Sequence, residues 1–145
     1  MSSVGVLREV MQRLEETFND PQKRESNYFD FYDDSLRIHG FPPNLPANKE
    51  GFKQFVHVLW KAFPDIRITY EDIVIEGDKV ACRYSITGTH KGEFTVSLYL
   101  AYGKFFPTDK QFKINGMTIF SFQDSKCIER WNVIDNLSLM EQLRP

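Results

Sequence analysis

Only two of the 145 residues are cysteine, Cys82 and Cys127, and neither has a histidine nearby at metal-ligand spacing. A multi-bridge disulfide scaffold is thereby excluded, and two small reduced thiols in the core of a cytoplasmic protein are expected, with a single Cys82–Cys127 bridge as the alternative. Charge of one sign is scarce too. Lys and Arg number 18 against 20 Asp and Glu, for a formal net charge of -2 and a pI of about 5.9. With both signs scattered, no basic stripe can track a phosphate backbone, so nucleic acid is not an expected partner. No apolar run reaches the roughly eighteen residues of a membrane span, and MSSVGVLREVMQRLEE becomes charged too early for a signal peptide. Neither membrane nor secretion is expected. The glycines form no Gly-x-Gly-x-x-Gly, no P-loop and no Gly-x-Ser-x-Gly elbow, and no metal-ligand set has usable spacing. What remains is chemistry without a cofactor, or none.

Hydrophobic residues make up 41% of the chain and aromatics 14%, enough for one domain over 1–145 with a core of its own. Val4, Leu7, Val10, Met11, Leu14 and Phe18 recur at helical spacing, and Asn19-Asp20-Pro21 ends that helix. SNYFDFYDD (26–34) reads as a shorter aromatic helix and LRIHG as a brief strand. FPPNLPANKEG (41–51) is a loop, with Asn48 as N-cap. Phe52, Phe55, Val56, Leu59, Trp60 and Phe63 form the cleanest helical stripe, stopped by Pro64. Beyond it the residues turn β-branched and aromatic, predicting antiparallel strands over 66–75, 79–89, 112–123 and 126–134, with a further strand over 93–102. Gly77-Asp78 and Asp124-Ser125 are the hairpin turns, and 137–143 is a short closing helix. Helices followed by antiparallel strands predict an α+β fold: a strongly curved antiparallel sheet wrapped on N-terminal helices into a cone-shaped barrel, with a small-molecule cavity between them.

Strand alternation sorts the candidates for chemistry. Trp131, Val133 and Asp135 share one face of their strand; Arg130, Asn132 and Ile134 share the other. Cys82, Tyr84, Ile86 and His90 share a mainly apolar face. If the apolar faces are the inner ones, Asp135 and His90 both look into the cavity and Arg83 does not, unless a bulge reverses the phase. An acid beside an apolar pocket has a raised pKa and can abstract a proton next to a carbonyl. The other reading of Asp135 is an N-cap of the closing helix. His90 is either a hydrogen-bonded structural residue or an orienting group for a substrate oxygen. His39 is either a surface loop residue or a pocket residue. Phe29, Tyr32, Phe55, Leu59 and Trp131 are candidate apolar walls, with Tyr84 as a second orienting group.

Two stretches carry a resemblance. AFPDIRITYEDIVIEGDKVACRYSITGTHKGEF (62–94) and FSFQDSKCIERWNVIDNLSLMEQL (120–143), with YDDSLRIHG upstream, resemble the SnoaL-like polyketide cyclases of the nuclear transport factor 2-like superfamily. The resemblance implies the cone-shaped fold, a pocket for an apolar or aromatic small molecule, and a homodimer formed through the outer sheet face. It also implies cofactor-free intramolecular aldol ring closure, with Asp135 as general acid/base. His39, Arg83, His90 and Trp131 match recurring family positions, as pocket or structural candidates. The chain departs from the family in carrying Ser125 and Asp109 where glycine is usual, and in the length of TVSLYLAYGKFF (95–106). Rival readings are a non-catalytic ligand-binding or dimerisation module, and a hydrolase or isomerase on the same scaffold.

Overall fold

The computed structural model describes residues 3–94 and 107–144. Helix α1 (Ser3–Phe18) buries Leu7, Val10, Met11, Leu14 and Phe18 and leaves Arg8, Glu9 and Arg13 in solvent. A single turn α2 (Arg24–Asn27) tightens into a 3-10 turn over Tyr28–Phe31. Strand β1 (Tyr32–His39) follows, and then α3 (Lys49–Ala62), whose N-cap Asn48 accepts from the Gly51 amide at 3.1 Å. The rest of the sheet is β2 (Arg67–Glu76), β3 (Lys79–Thr89), β4 (Gln111–Gln123) and β5 (Lys126–Ile134), closed by α4 (Asn136–Leu143).

The five strands run in the order β1-β5-β4-β3-β2, so the fold is α+β with an open sheet. Two features differ from the sequence expectation. The sheet is mixed, because β1 pairs parallel with β5. It is also longer at that edge than LRIHG suggested, since the expected helix over 26–34 stops at Phe31 and Tyr32 enters β1. Phe29 and Phe31 are buried by the 3-10 turn, and Tyr32 pairs with Cys127 across the sheet, so tertiary contacts override the helical spacing of these aromatics. The expected strand over 93–102 lies, from residue 95, outside the described residues.

Edge strand β2 is held by α1. Asn19 accepts from the Ile68 amide at 2.7 Å and donates to its carbonyl at 2.8 Å, while Glu15 accepts from the Tyr70 amide at 2.6 Å. These bonds occupy backbone groups that an edge strand would otherwise offer to another chain. On the inner face, α3 packs Phe52, Val56 and Trp60 against Tyr28, Phe18 and the sheet. Among the described residues no helix is long and apolar enough to cross a membrane.

Candidate functional site

The phase of β5 decides which side chains reach the interior. At the turn, Gln123 pairs with Lys126 and Phe122 with Cys127, as in a regular two-residue hairpin. Continued without interruption, that register would set Trp131 opposite Thr118 and turn Trp131, Val133 and Asp135 inward. Instead Ser121 pairs with Glu129, and Ile128 is left over as a β-bulge. One extra residue flips every later side chain to the other face. Phe120 therefore faces Arg130, Thr118 faces Asn132 and Gly116 faces Ile134.

Arg130, Asn132 and Ile134 consequently enter the cavity beneath α3. Asn132 is tied down first: its Oδ1 accepts from the Tyr84 hydroxyl and from the Thr118 hydroxyl, both at 2.5 Å. Tyr84 sits on β3, and its ring reaches β5 by crossing β4 over Gly116. A Cβ there would lie 2.5 Å from the Tyr84 Cζ and Oη. Gly40, with φ +75°, makes a second close approach, since a Cβ on it would strike the Asn132 carbonyl oxygen. With its Oδ1 committed to two hydroxyls, Asn132 keeps its amide N–H groups for the cavity.

Arg130 is the strongest charge in this region. Its guanidinium lies between the Phe52 and Phe120 rings, 5.0 and 5.1 Å from their centroids. Nη1 donates to the Tyr32 hydroxyl at 3.4 Å, which in turn shares a 2.7 Å bond with the Tyr28 hydroxyl. Nε is buried with no hydrogen-bond partner. Among the described residues, no carboxylate lies within ion-pair distance of Arg130. Burial works against the Arg130 charge, and the oxygens of Tyr32, Tyr28 and Tyr84 with the Cys127 sulfur outweigh it, so its pKa stays above the ordinary arginine value. Burial raises the phenol pKa values of Tyr28, Tyr32 and Tyr84 despite the opposing pull of Arg130. At neutral pH the site thus holds one cation and neutral hydroxyl donors.

These groups line a cavity of about 80 Å³ whose walls are otherwise apolar, including Phe18, Phe55, Leu59, Phe63, Ile86 and Phe112. A vestibule of about 50 Å³, reached past Gly40, Phe41 and Pro42, shares Phe52, Phe55, Arg130, Asn132 and Ile134 with it. Arg130 sits deep in the protein yet keeps accessible surface, and that surface faces these two chambers. Two larger hollows, of about 530 and 490 Å³, are open grooves, and neither is lined by Arg130, Asn132 or Tyr84.

The residues singled out from sequence separate accordingly. Tyr84, Phe55 and Leu59 line the cavity, and Tyr32 supports Arg130 from behind. Asp135 does not look inward: it is exposed, and its Oδ1 accepts from the Ser138 amide at 3.0 Å as the N-cap of α4. Trp131 lies on the outer face, stacked on His39 with centroids 5.1 Å apart, and His39 is bonded to Glu129 at 2.7 Å. Arg83 also faces outward, paired with Asp72 at 2.8 Å. His90 is fully buried outside the cavity, with Nδ1 3.3 Å from the Thr108 hydroxyl and its backbone paired to Lys110 and Asp109. It fastens the end of β3 to the approach to β4. The residues missed were Arg130, Asn132, Thr118 and Gly116. Their placement is set by the bulge at Ile128, which shows in the β4–β5 register and not in the residue pattern.

The fold recurs among solved structures. AclR from Streptomyces galilaeus superposes with a TM-score of 0.80 at 23% identity, covering 97% of each chain. IdmH from Streptomyces antibioticus gives 0.74 at 27% identity, covering 94% of this chain and 97% of its own. A SnoaL-like polyketide cyclase from Agrobacterium tumefaciens gives 0.68 at 20% identity, covering 95% and 98%. No curated protein matches the sequence. The family model for the SnoaL-like polyketide cyclases matches residues 8–143, nearly the whole chain, and the protein belongs to that family.

Proposed function

We propose that this protein binds an apolar, carbonyl-bearing small molecule in the cavity under α3 and promotes aldol-type ring closure by stabilising negative charge on a substrate oxygen. The observation that carries this reading is Arg130: a full positive charge with no carboxylate partner among the described residues, turned into an apolar chamber beside the Asn132 amide. Removal of a proton next to a carbonyl leaves an enolate, whose oxygen would lie against the Asn132 amide with the Arg130 charge beside it. Attack of the enolate carbon on a second carbonyl forms the ring bond, and the resulting alkoxide takes a proton. Donors held in place before the charge develops are worth about 10² to 10³ in rate each.

No carboxylate or imidazole lines the cavity among the described residues. Asp135, the aspartate that the family resemblance points to, is one residue from Asn136 on the vestibule wall and is engaged in its cap. The same observation favours a second reading, a pocket that binds its ligand without turning it over.

Exchange of the α-protons of a small aryl ketone in deuterated water, followed by NMR, separates these cases. Cyclase-type chemistry predicts exchange above the buffer rate that falls about a hundredfold in Arg130→Met. Retained exchange in Asp135→Asn, a substitution that keeps the cap, assigns the rate to charge stabilisation. Its loss makes Asp135 the base. Ketone binding without exchange selects the binding module, and neither binding nor exchange removes the cavity as a site.

We further propose that a second copy of the chain covers the outer sheet face. Met117 and Val133, 60% and 75% exposed, pair directly there, and Val74 and Ile119, 66% and 44% exposed, align through Ala81 in the adjacent row. An apolar row of this kind on a chain with 26% charged residues fits an isologous contact. Sedimentation equilibrium checks it: Val133→Lys should convert a dimer to a monomer, and a monomeric wild type ends the proposal.

A further inference from the structure

We propose that the molecule bound in this cavity carries a carboxylate, and that the carboxylate pairs with Arg130 while the rest of the ligand fills the apolar chamber. The inference rests on the reading of the cavity as a small-molecule site. It goes further by fixing the charge of the ligand before any reaction begins.

A buried ion loses hydration that its surroundings only partly replace. A buried arginine therefore needs carboxylate or carbonyl acceptors: Arg24, also buried, donates to the Pro64 carbonyl at 3.3 Å, lies over the Trp60 ring and has Glu25 nearby. Among the described residues Arg130 has neither kind of acceptor. Its partners are two aromatic faces and one long hydrogen bond to Tyr32. The Tyr32, Tyr28 and Tyr84 oxygens favour the Arg130 charge but carry no charge of their own, because burial keeps these phenols protonated, so the site retains a net positive charge. Nor can the residues beyond those described supply the counterion from within the chain's long connection, since TVSLYLAYGKFF (95–106) contains no Asp or Glu.

The geometry favours a planar anion over a general polar group. The guanidinium is clamped between Phe52 and Phe120, so its orientation is set before a ligand arrives. A preset guanidinium fork matches the two oxygens of a carboxylate. Arg130 also lies on the wall common to both chambers. A carboxylate held there leaves the inner chamber free for an apolar body and places the Asn132 amide and Tyr84 hydroxyl one strand step farther along it. The two points of contact distinguish the ends of a ligand: the permanent charge at Arg130 and a neutral carbonyl at Asn132.

The test compares isosteric acids and amides: benzoate with benzamide, 3-phenylpropanoate with its amide, and 2-naphthoate with 2-naphthamide, by ligand-observed NMR and calorimetry on the full chain. The acid of at least one pair should bind about tenfold or more tighter than its amide. Arg130→Met should abolish the preference while amide binding persists. Arg130→Lys, which keeps the charge but loses the fork, should retain a reduced preference, and it serves as the second variant if Arg130→Met does not fold. Equal affinity for acids and amides in the wild type overturns the carboxylate proposal and leaves the cavity standing as a neutral-ligand site. Failure of all six compounds to bind overturns the cavity reading itself, and the carboxylate with it.

Discussion

Gly116→Ala tests the arrangement of the polar cluster at its narrowest point. The added Cβ would meet Cζ and Oη of Tyr84 at 2.5 Å and Cε2 at 2.8 Å, inside any tolerated contact. The ring can swing away, but only by surrendering its hydrogen bond to Asn132. Overpacking costs about 1–3 kcal/mol and an unmade buried hydrogen bond about 1–3 kcal/mol. Replacing a strand glycine by alanine returns about 0.5–1 kcal/mol. The net loss should be about 2–4 kcal/mol in denaturant unfolding, with exchange of a bound ketone reduced in parallel. Tyr84→Phe, which leaves Asn132 its bond from Thr118, should cost only about 1 kcal/mol. Because the damage runs through the ring, Gly116→Ala should add little once Tyr84 has been shortened to Leu. A double-mutant cycle should therefore give a coupling of at least about 1 kcal/mol. Costs that add to within about 0.5 kcal/mol would refute the crossing of Tyr84 over Gly116.

Four further outcomes follow from the same geometry. If Arg130 is held for a ligand, Arg130→Met should leave the unliganded protein within about 1 kcal/mol of wild type or more stable; a loss beyond about 3 kcal/mol would mean that the charge is already compensated. At α4, Asp135→Ala should lower stability by about 1 kcal/mol and Asp135→Asn by far less, measured by thermal unfolding, and equal losses would contradict the capping role. Burial pushes the Cys82 and Cys127 thiols up to about 11, so neither should react quickly with a disulfide reagent at neutral pH until denaturant is added; a fast native thiol would place one of them at the surface. Burial raises the Asp65 pKa, but two hydrogen bonds from Thr89 outweigh it and hold the carboxyl below its ordinary value. Its stabilisation is therefore complete above the unfolded value of about 3.9 and is lost as pH falls through the lower folded value. The stability gap between wild type and Asp65→Asn should shrink on acidification below about pH 4, and a constant gap would refute the assignment.

The elements with strong periodic signals were legible in the sequence. The α3 stripe from Phe52 to Phe63 buries Phe52, Val56, Trp60 and Phe63, and Asn48 caps it. Strands β2 to β5 and both hairpin turns lie where β-branched alternation and turn residues put them. What failed was the part written by partners distant in sequence. Tyr28, Phe29, Phe31 and Tyr32 have helical spacing, yet Tyr32 pairs with Cys127 in a strand ladder 95 positions along. Nothing local to SNYFDFYDD reports that β5 is waiting there, and the parallel sense of that pairing is equally invisible.

The site was misread for a more specific reason. In β4 the alternation is plain, with Phe112, Ile114, Thr118 and Phe120 inward and Lys113, Asn115, Met117 and Ile119 outward. In β5, Trp131 and Val133 look like the better inner pair by hydrophobicity, and an unbroken hairpin would have made them so. Ile128 overturns that choice by standing unpaired between Cys127 and Glu129. The bulge spends the apolar residues on the outer face, where Val133 is 75% exposed and Trp131 stacks on His39, and turns an arginine and an asparagine into the core. A fold selected only for stability would place these two pairs the other way round, since burying Arg130 costs hydration that burying Trp131 would have gained. Local rules broken at one spot, with their cost carried by Phe52, Phe120, Tyr32 and the hydroxyls of Tyr84 and Thr118, mark that spot as the place where the protein meets something other than itself.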